Sequence, residues 1–391
     1  MRNRLVMMGV ALIAASFAAA QARAQGTVCG GTAGPCNVIP VNNTAYGTTA
    51  AEFLLLAPSA RGTALGGAFA ALATDVSATY YNPAGLAQME HAGFMASTMN
   101  YVAGTKYGWL AAAFPMSGGS RAIGVSVANF GFSGQPVYTV EDPNNTSGEV
   151  YSVSETSVGL TYSQQFSDRF SAGLTAKLIN DELGRTSGSA IAVDFGTSFH
   201  ATIGGRPMRA SFVVQNLGTN ITQTGTALQV NVNRVPPVGQ QDVPQEPATA
   251  QLTAKAWSLP VMFRVGLAYD LFQTSAGRLS VLGEFNQPNN NLPGFNLGGE
   301  YSVGLGSSGF SVAGRLSVTY WPDAGLAPPD ASSANYAGFA STGSTSQYRA
   351  SYGGGVYYKP GTSGFGVGVD YAYRNMGLLG GVSMLSIAFN W

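Results

Sequence analysis

The C-terminal stretch FGVGVDYAYRNMGLLGGVSMLSIAFNW (365–391) contains two segments whose side chains alternate in character with a period of two. Phe365, Val367, Val369, Tyr371 and Tyr373 share one face, opposite Gly366, Gly368, Asp370, Ala372 and Arg374. Beyond a glycine-bearing turn, Leu385, Ile387, Phe389 and Trp391 lie opposite Ser386, Ala388 and Asn390. A period of two is the signature of a β-strand with unlike faces. Here the polar face carries the only charges, Asp370 and Arg374.

The same pattern recurs upstream. Leu259, Val261, Phe263, Val265, Leu267 and Tyr269 oppose a face bearing Arg264 and Asp270, and Val312, Leu316 and Val318 oppose Arg315. Ile191, Val193, Phe195 and Phe199 oppose Asp194 and His200. Strands are expected near 92–102, 106–116, 120–132, 150–165, 168–180, 188–201 and 207–216. The second half gives 258–271, 278–287, 294–304, 308–320, 347–359, 363–374 and 381–391, with the alternation least regular between 92 and 116. About fourteen strands, an even number, suits a closed antiparallel membrane barrel with apolar residues facing lipid and polar ones facing the lumen. An Arg or Lys on the lipid side would cost about 2–4 kcal/mol at the bilayer midplane, which accounts for the segregation of charge.

Composition agrees with that reading. Only 10% of the residues are charged, with 19 basic and 19 acidic side chains and 52 glycines. Ordinary globular chains carry about 25% charge. Mean hydropathy is only +0.11, too low for a helical membrane protein but natural for alternating strands. The balanced charge gives no footprint for nucleic acid. Connections alternate between short ones, such as 164–168, 270–277, 303–309 and 359–364, and long ones at 135–149, 217–257 and 322–346. Short periplasmic turns and long outer loops are the barrel pattern, and this parity places both barrel ends on the periplasmic side, from which a plug is expected to enter.

Arg2 and Arg4 precede the apolar run Leu5–Ala20, and Ala22-Arg23-Ala24 offers small residues at cleavage spacing. Residues 1–24 therefore read as a signal peptide, followed by an arm over 25–49. Cys29 and Cys36 fall in that arm; an oxidising compartment would let them form a disulfide. A metal site is the other use for such a pair, but no histidine lies nearby. The terminal Phe389 and Trp391 fit an insertion signal read by the barrel-assembly machinery, or a place in the interfacial aromatic girdle.

Ahead of the strands lies EFLLLAPSARGTALGGAFAALATDVSATYYNPAGL (52–86), rich in small residues and bearing the lone cation Arg61. Leu54–Leu56 form an apolar turn, Leu65–Ala73 reads as a short helix, and Asn82-Pro83-Ala84-Gly85 is a proline turn. This stretch resembles the N-terminal region of the PorV/PorQ outer-membrane proteins, related to the FadL-type transporters of hydrophobic molecules, which carry an Asn-Pro-Ala motif in an N-terminal hatch. The resemblance extends through FSAGLTAKLI (170–179), AVDFGTSF (192–199), VVQNLG (213–218), LPVMFRVGLAY (259–269) and GVDYAYRN (368–375). It implies an outer-membrane barrel over 91–391 with residues 50–90 as a lumen plug. Arg61, Gly66, Gly67, Asp75, Asn82, Pro83, Ala84 and Gly85 are the plug's candidate positions. It also implies one of two tasks: handling secreted protein cargo, as in type IX secretion, or passive uptake of hydrophobic small molecules. A structural barrel without transport is the third reading.

Little in the chain suggests catalysis. His91 and His200 lack metal-ligand spacing, and no nucleophile-elbow motif occurs; no cofactor is expected. Asp194, Glu284, Glu300 and Asp370 are expected to form a lumen charge network with Lys177, Arg264, Arg315 and Arg374 rather than acid–base pairs. Arg61 should find its partner among those four acids. Tyr336 and Phe339 in a long loop are candidate partner contacts, with local packing as the alternative.

Overall fold

The computed structural model describes residues 47–116, 119–232, 247–274, 277–306, 308–322, 348–360 and 365–391. Fourteen long strands dominate it. The first seven are β1 (Gly93–Asn100), β2 (Lys106–Met116), β3 (Arg121–Pro136), β4 (Val150–Ser167), β5 (Phe170–Leu183), β6 (Thr186–Ile203) and β7 (Arg206–Gly218). The others are β8 (Met262–Gln273), β9 (Gly277–Pro288), β10 (Gly294–Gly304), β11 (Phe310–Tyr320), β12 (Tyr348–Tyr358), β13 (Gly366–Asn375) and β14 (Gly381–Asn390). Each pairs antiparallel with its chain neighbour, and β14 returns to β1 from Gly93↔Asn390 to Asn100↔Ser383. The sheet is thus a closed barrel with no free edge.

The pleat sorts the side chains as the sequence pattern requires. Outward Leu160, Leu178 and Leu316 are 60–62% exposed, while inward Thr161, Thr175, Asp194 and Ser351 are buried. Strand β8 begins at Met262 rather than near 258. Pro260 has no N–H to give the ladder, and Leu259, expected to face outward, is buried beside it. In the long connection after β7, Thr224–Gly225 pairs with Thr186 and Ser187 at the start of β6, and Gln229–Val232 pairs antiparallel with Ala248–Gln251. Among the described residues no helix is long and apolar enough to cross a membrane.

Residues 47–92 run through the barrel interior. Ala50 N–H bonds to Ser258 O, and Thr49 and Glu52 meet Asn290, all at the long-loop end. The chain then forms a 3₁₀ turn (Glu52–Leu55), α1 (Ala60–Ala64), α2 (Ala78–Tyr81) and a second 3₁₀ segment (Pro83–Gln88). It leaves at the opposite end, where Trp391 N–H bonds to Ala92 O. α1 packs on β12, β13 and β14, whereas Pro83–Gln88 packs on β4, β5 and β6, so the segment crosses between opposite walls. Two expectations change here. The segment descends from the long-loop end instead of entering from the short-turn end. The helix expected at Leu65–Ala73 is α1, one turn earlier, because Gly66 and Gly67 have φ of 69° and 88° and stop it.

Residues 1–46, with the signal peptide, most of the arm, Cys29 and Cys36, lie outside the described residues, as do Tyr336 and Phe339.

Candidate functional site

The interior segment is held at three levels by side chains that the strand pleat turns inward. At mid-depth, Arg61 on α1 donates Nε–H and Nη2–H to the Glu300 carboxylate of β10, both at 2.8 Å. Its Nη1 lies 3.2 Å from Asp75, whose other oxygen accepts from Ser77 N–H at 2.9 Å. Glu300 also accepts from Arg315 Nε at 2.7 Å and lies 3.6 Å from Arg278. Arg315 reaches Asp370 at 2.6 Å, and Tyr357 bonds to that carboxylate.

Small hydroxyls secure the same helix. Ala60 N–H donates to Ser386 Oγ at 2.8 Å, and Ser317 Oγ donates to Ala64 O at 2.8 Å. Gly66 passes close to Ser317 and Thr319. Ala70 N–H donates to Glu284 at 3.1 Å, and Glu284 faces Arg264 at 3.6 Å.

Deeper, Asn82, Pro83, Ala84 and Gly85 seat on β5 and β6. Asn82 Oδ1 accepts from Ala84 N–H at 3.1 Å, while its Nδ2 donates to Ala70 O and Thr197 O at 3.0 and 3.1 Å. The asparagine thereby caps the 3₁₀ segment and ties it to the wall. Gly173 and Gly196, directly paired across the two strands, leave a flat patch beneath. A Cβ on Gly196 would come 2.2 Å from Asn82 Oδ1, and one on Gly173 2.4 Å from the Pro83 carbonyl carbon. At the end of the segment Gln88 Nε2 lies 2.7 Å from His200 Nε2. His200, set by the sequence pattern on the same face as Asp194, faces this segment near the end of β6.

The expected charge network is three separate groups. Arg61, Glu300, Arg315 and Asp370 form one; Arg264 and Glu284 form another. In the third, Lys177 pairs with Asp194 at 2.6 Å and donates to Asn216 Oδ1 at 2.8 Å. Arg374 joins none of them. The pair Arg209–Asp270, at 3.0 Å, is an addition that the sequence reading did not name. Phe389 and Trp391 are exposed outside the barrel, Trp391 edge-on to Phe114 at 6.3 Å. Among the described residues no group of three His, Cys, Asp or Glu side chains could hold a metal ion.

Facing the segment, β1–β3 turn apolar side chains inward. Phe53, Leu54 and Tyr80 of the segment meet Tyr107, Trp109 and Ala128 of the wall around a cavity of about 20 Å³, whose remaining lining is Thr79, Ser126, Ser157 and Lys177. Met95, Met99 and Ala111 continue this buried apolar quadrant. Phe53 stacks on Phe130 at 6.5 Å, and Tyr101 meets Phe130 edge-on at 5.8 Å. The sequence reading missed this feature, although its signal was the irregular alternation at 92–116, where inward residues are apolar too. A larger depression of about 580 Å³ lies outside the lumen, among Val158, Leu178 and Ile191.

A fold comparison aligns the chain with a solved structure described as the CymD monoaromatic hydrocarbon channel. The TM-score is 0.53 at 12% identity, over 84% of this chain and 95% of that one. The two share a fold. A FadL homologue of Pseudomonas aeruginosa aligns over 86% of this chain and 98% of its own, with TM-score 0.47 and 10% identity. The toluene transporter TodX of Pseudomonas putida aligns over 80% and 92%, with TM-score 0.44 and 9% identity. No family model and no curated protein matches the chain. The PorV/PorQ resemblance therefore rests on the sequence motifs alone.

Proposed function

We propose that this protein is an outer-membrane channel for passive entry of hydrophobic small molecules, with residues 50–90 as the lumen plug that closes it. The observation that carries this reading is the aromatic cavity between the segment and the wall, at Phe53, Leu54, Tyr80, Tyr107 and Trp109. A water-filled pore would not need apolar residues on an inward face, whereas a site for apolar solutes does. At about 20 Å³ the cavity has room for a water but not for a hydrocarbon, so passage requires the segment to shift. The outward apolar face supports an outer-membrane location, and the shared barrel fold is consistent with it. Cargo handling, the task implied by the PorV/PorQ resemblance, would draw on the outer loops and has no comparable support inside the barrel.

The test uses purified barrel in detergent and in liposomes. Toluene should quench Trp109 fluorescence, with the response lost in Trp109→Phe, and should cross liposomes faster when the barrel is present. An assembled barrel that neither responds to toluene nor speeds its passage, yet co-purifies with secreted proteins, would overturn the channel reading.

A further inference from the structure

Near the long-loop end of the lumen, hydrogen-bond donors converge without an acceptor. Arg374 on β13 and Arg349 on β12 both project inward, and Arg374 is registered opposite Ser351. Arg349 is the next inward residue beyond Ser351, which makes the two arginines diagonal neighbours about 7–8 Å apart at the backbone. Arg374 Nε, Arg349 Nε and Ser351 Oγ are buried atoms with no hydrogen-bond partner, whereas Tyr80 is engaged by Arg264. Among the described residues neither arginine has a carboxylate within ion-pair distance, unlike Arg61, Lys177, Arg209, Arg264 and Arg315. Tyr80, Tyr81 and Tyr101 are the aromatic groups close enough to act electrostatically on Arg374. Glu52 acts on Tyr101 but is itself engaged by Thr49 and Asn290.

Both arginines are half-buried with their Nε atoms out of solvent; such a group without an anion is costly, and a site composed of donors calls for an acceptor. We infer that Arg374, Arg349 and Ser351 form a subsite for the carboxylate of a compact aromatic acid, whose ring lodges beside Tyr80 and Tyr101 once the interior segment has shifted. This rests on the channel reading and narrows its substrate class. Tyrosine and phenylalanine rings around the cavity favour a planar ring, edge-to-face or stacked. A long alkyl chain has no path, because the lumen below is filled by Ala60, Ala64, Leu65 and Phe69, each completely buried. The serine hydroxyl and two guanidinium forks would satisfy both carboxylate oxygens, leaving the ring toward Phe53 and Tyr80.

Calorimetric titration of the detergent-solubilised full chain with benzoate, toluene and decanoate tests the assignment. Benzoate should bind the intact protein more tightly than decanoate. Arg374→Gln should lower the ratio of benzoate to toluene affinity at least tenfold, and Arg374→Lys should restore part of it; heat-modifiable mobility checks that each variant has assembled. Toluene binding without benzoate binding overturns the anion subsite alone, as does an unchanged ratio in Arg374→Gln. Tighter binding of decanoate than of benzoate overturns the compact-acid assignment. Failure of both toluene and benzoate to bind removes the channel reading as well.

Discussion

Replacing Glu300 is expected to release the interior segment more readily than replacing Arg61, although the two form one ion pair. Arg61→Met removes two charge-assisted bonds of 2.8 Å but leaves Glu300 with Arg315 at 2.7 Å. The carboxylate is not stranded, and the Arg61 side chain is already 20% exposed. A loss near the lower end of about 1.5–3 kcal/mol follows. Glu300→Gln removes the same attraction and also uncovers Arg61 to Arg315 and Arg278, two like charges that Glu300 now separates from it. Asp75 and Asp370 offset part of this, so the loss should be about 3–5 kcal/mol, the usual cost of breaking a buried ion pair. Single-channel recording in planar bilayers reads the difference as the fraction of time open, with about 1.4 kcal/mol per tenfold change. Arg61→Met should raise that fraction about tenfold and Glu300→Gln more than a hundredfold. The double variant should fall back toward Arg61→Met, since no cation on the segment is then repelled. A Glu300→Gln channel quieter than Arg61→Met, or a double variant more open than either single one, would refute the reasoning.

Gly196→Ala should destabilise the seat of Asn82 and Pro83 by about 1–3 kcal/mol through overpacking. Gly173→Ala should cost at least as much, because its Cβ meets backbone rather than a side-chain end, and Gly283→Ala, with open space around it, should be silent. Equal thermal stability of all three barrels would contradict the close approach. In the loop after β3, Asp142 accepts from Ser147 N–H at 2.9 Å and from Thr146 N–H at 2.7 Å, and these bonds hold its carboxyl well below the usual range. The loop contacts should therefore persist through neutral pH and be lost only as pH falls below the ordinary aspartate range through the depressed value. Amide resonances of Thr146 and Ser147 report this; a transition at or above pH 4, the ordinary aspartate value of about 3.9, would exclude it.

The strands were legible because a period-two pattern has one physical reading over this length, and β10 begins and ends where the alternation does. Boundaries moved where a local rule outweighed the pattern, as at Pro260, whose missing N–H delays β8. The charged side chains were equally legible as an inward set, since lipid excludes them. Their pairing was not. Arg61 had four candidate acids, and only the path of the segment across the lumen brings it to Glu300, while Arg374 has no carboxylate partner among the described residues. Gly173 and Gly196 looked like ordinary strand glycines until their register set them opposite each other under Pro83.

Sequence alone determined the class of fold, the strand count and the face each charge occupies, because these follow from local periodicity and the cost of placing charge in lipid. Only the tertiary structure decided which way the N-terminal segment runs, which carboxylate holds Arg61, and where apolar side chains meet inside the barrel. Those outcomes depend on contacts between residues far apart in the chain, such as Arg61 with Glu300 and Phe53 with Phe130. No local pattern encodes such distances; closure of the sheet fixes them.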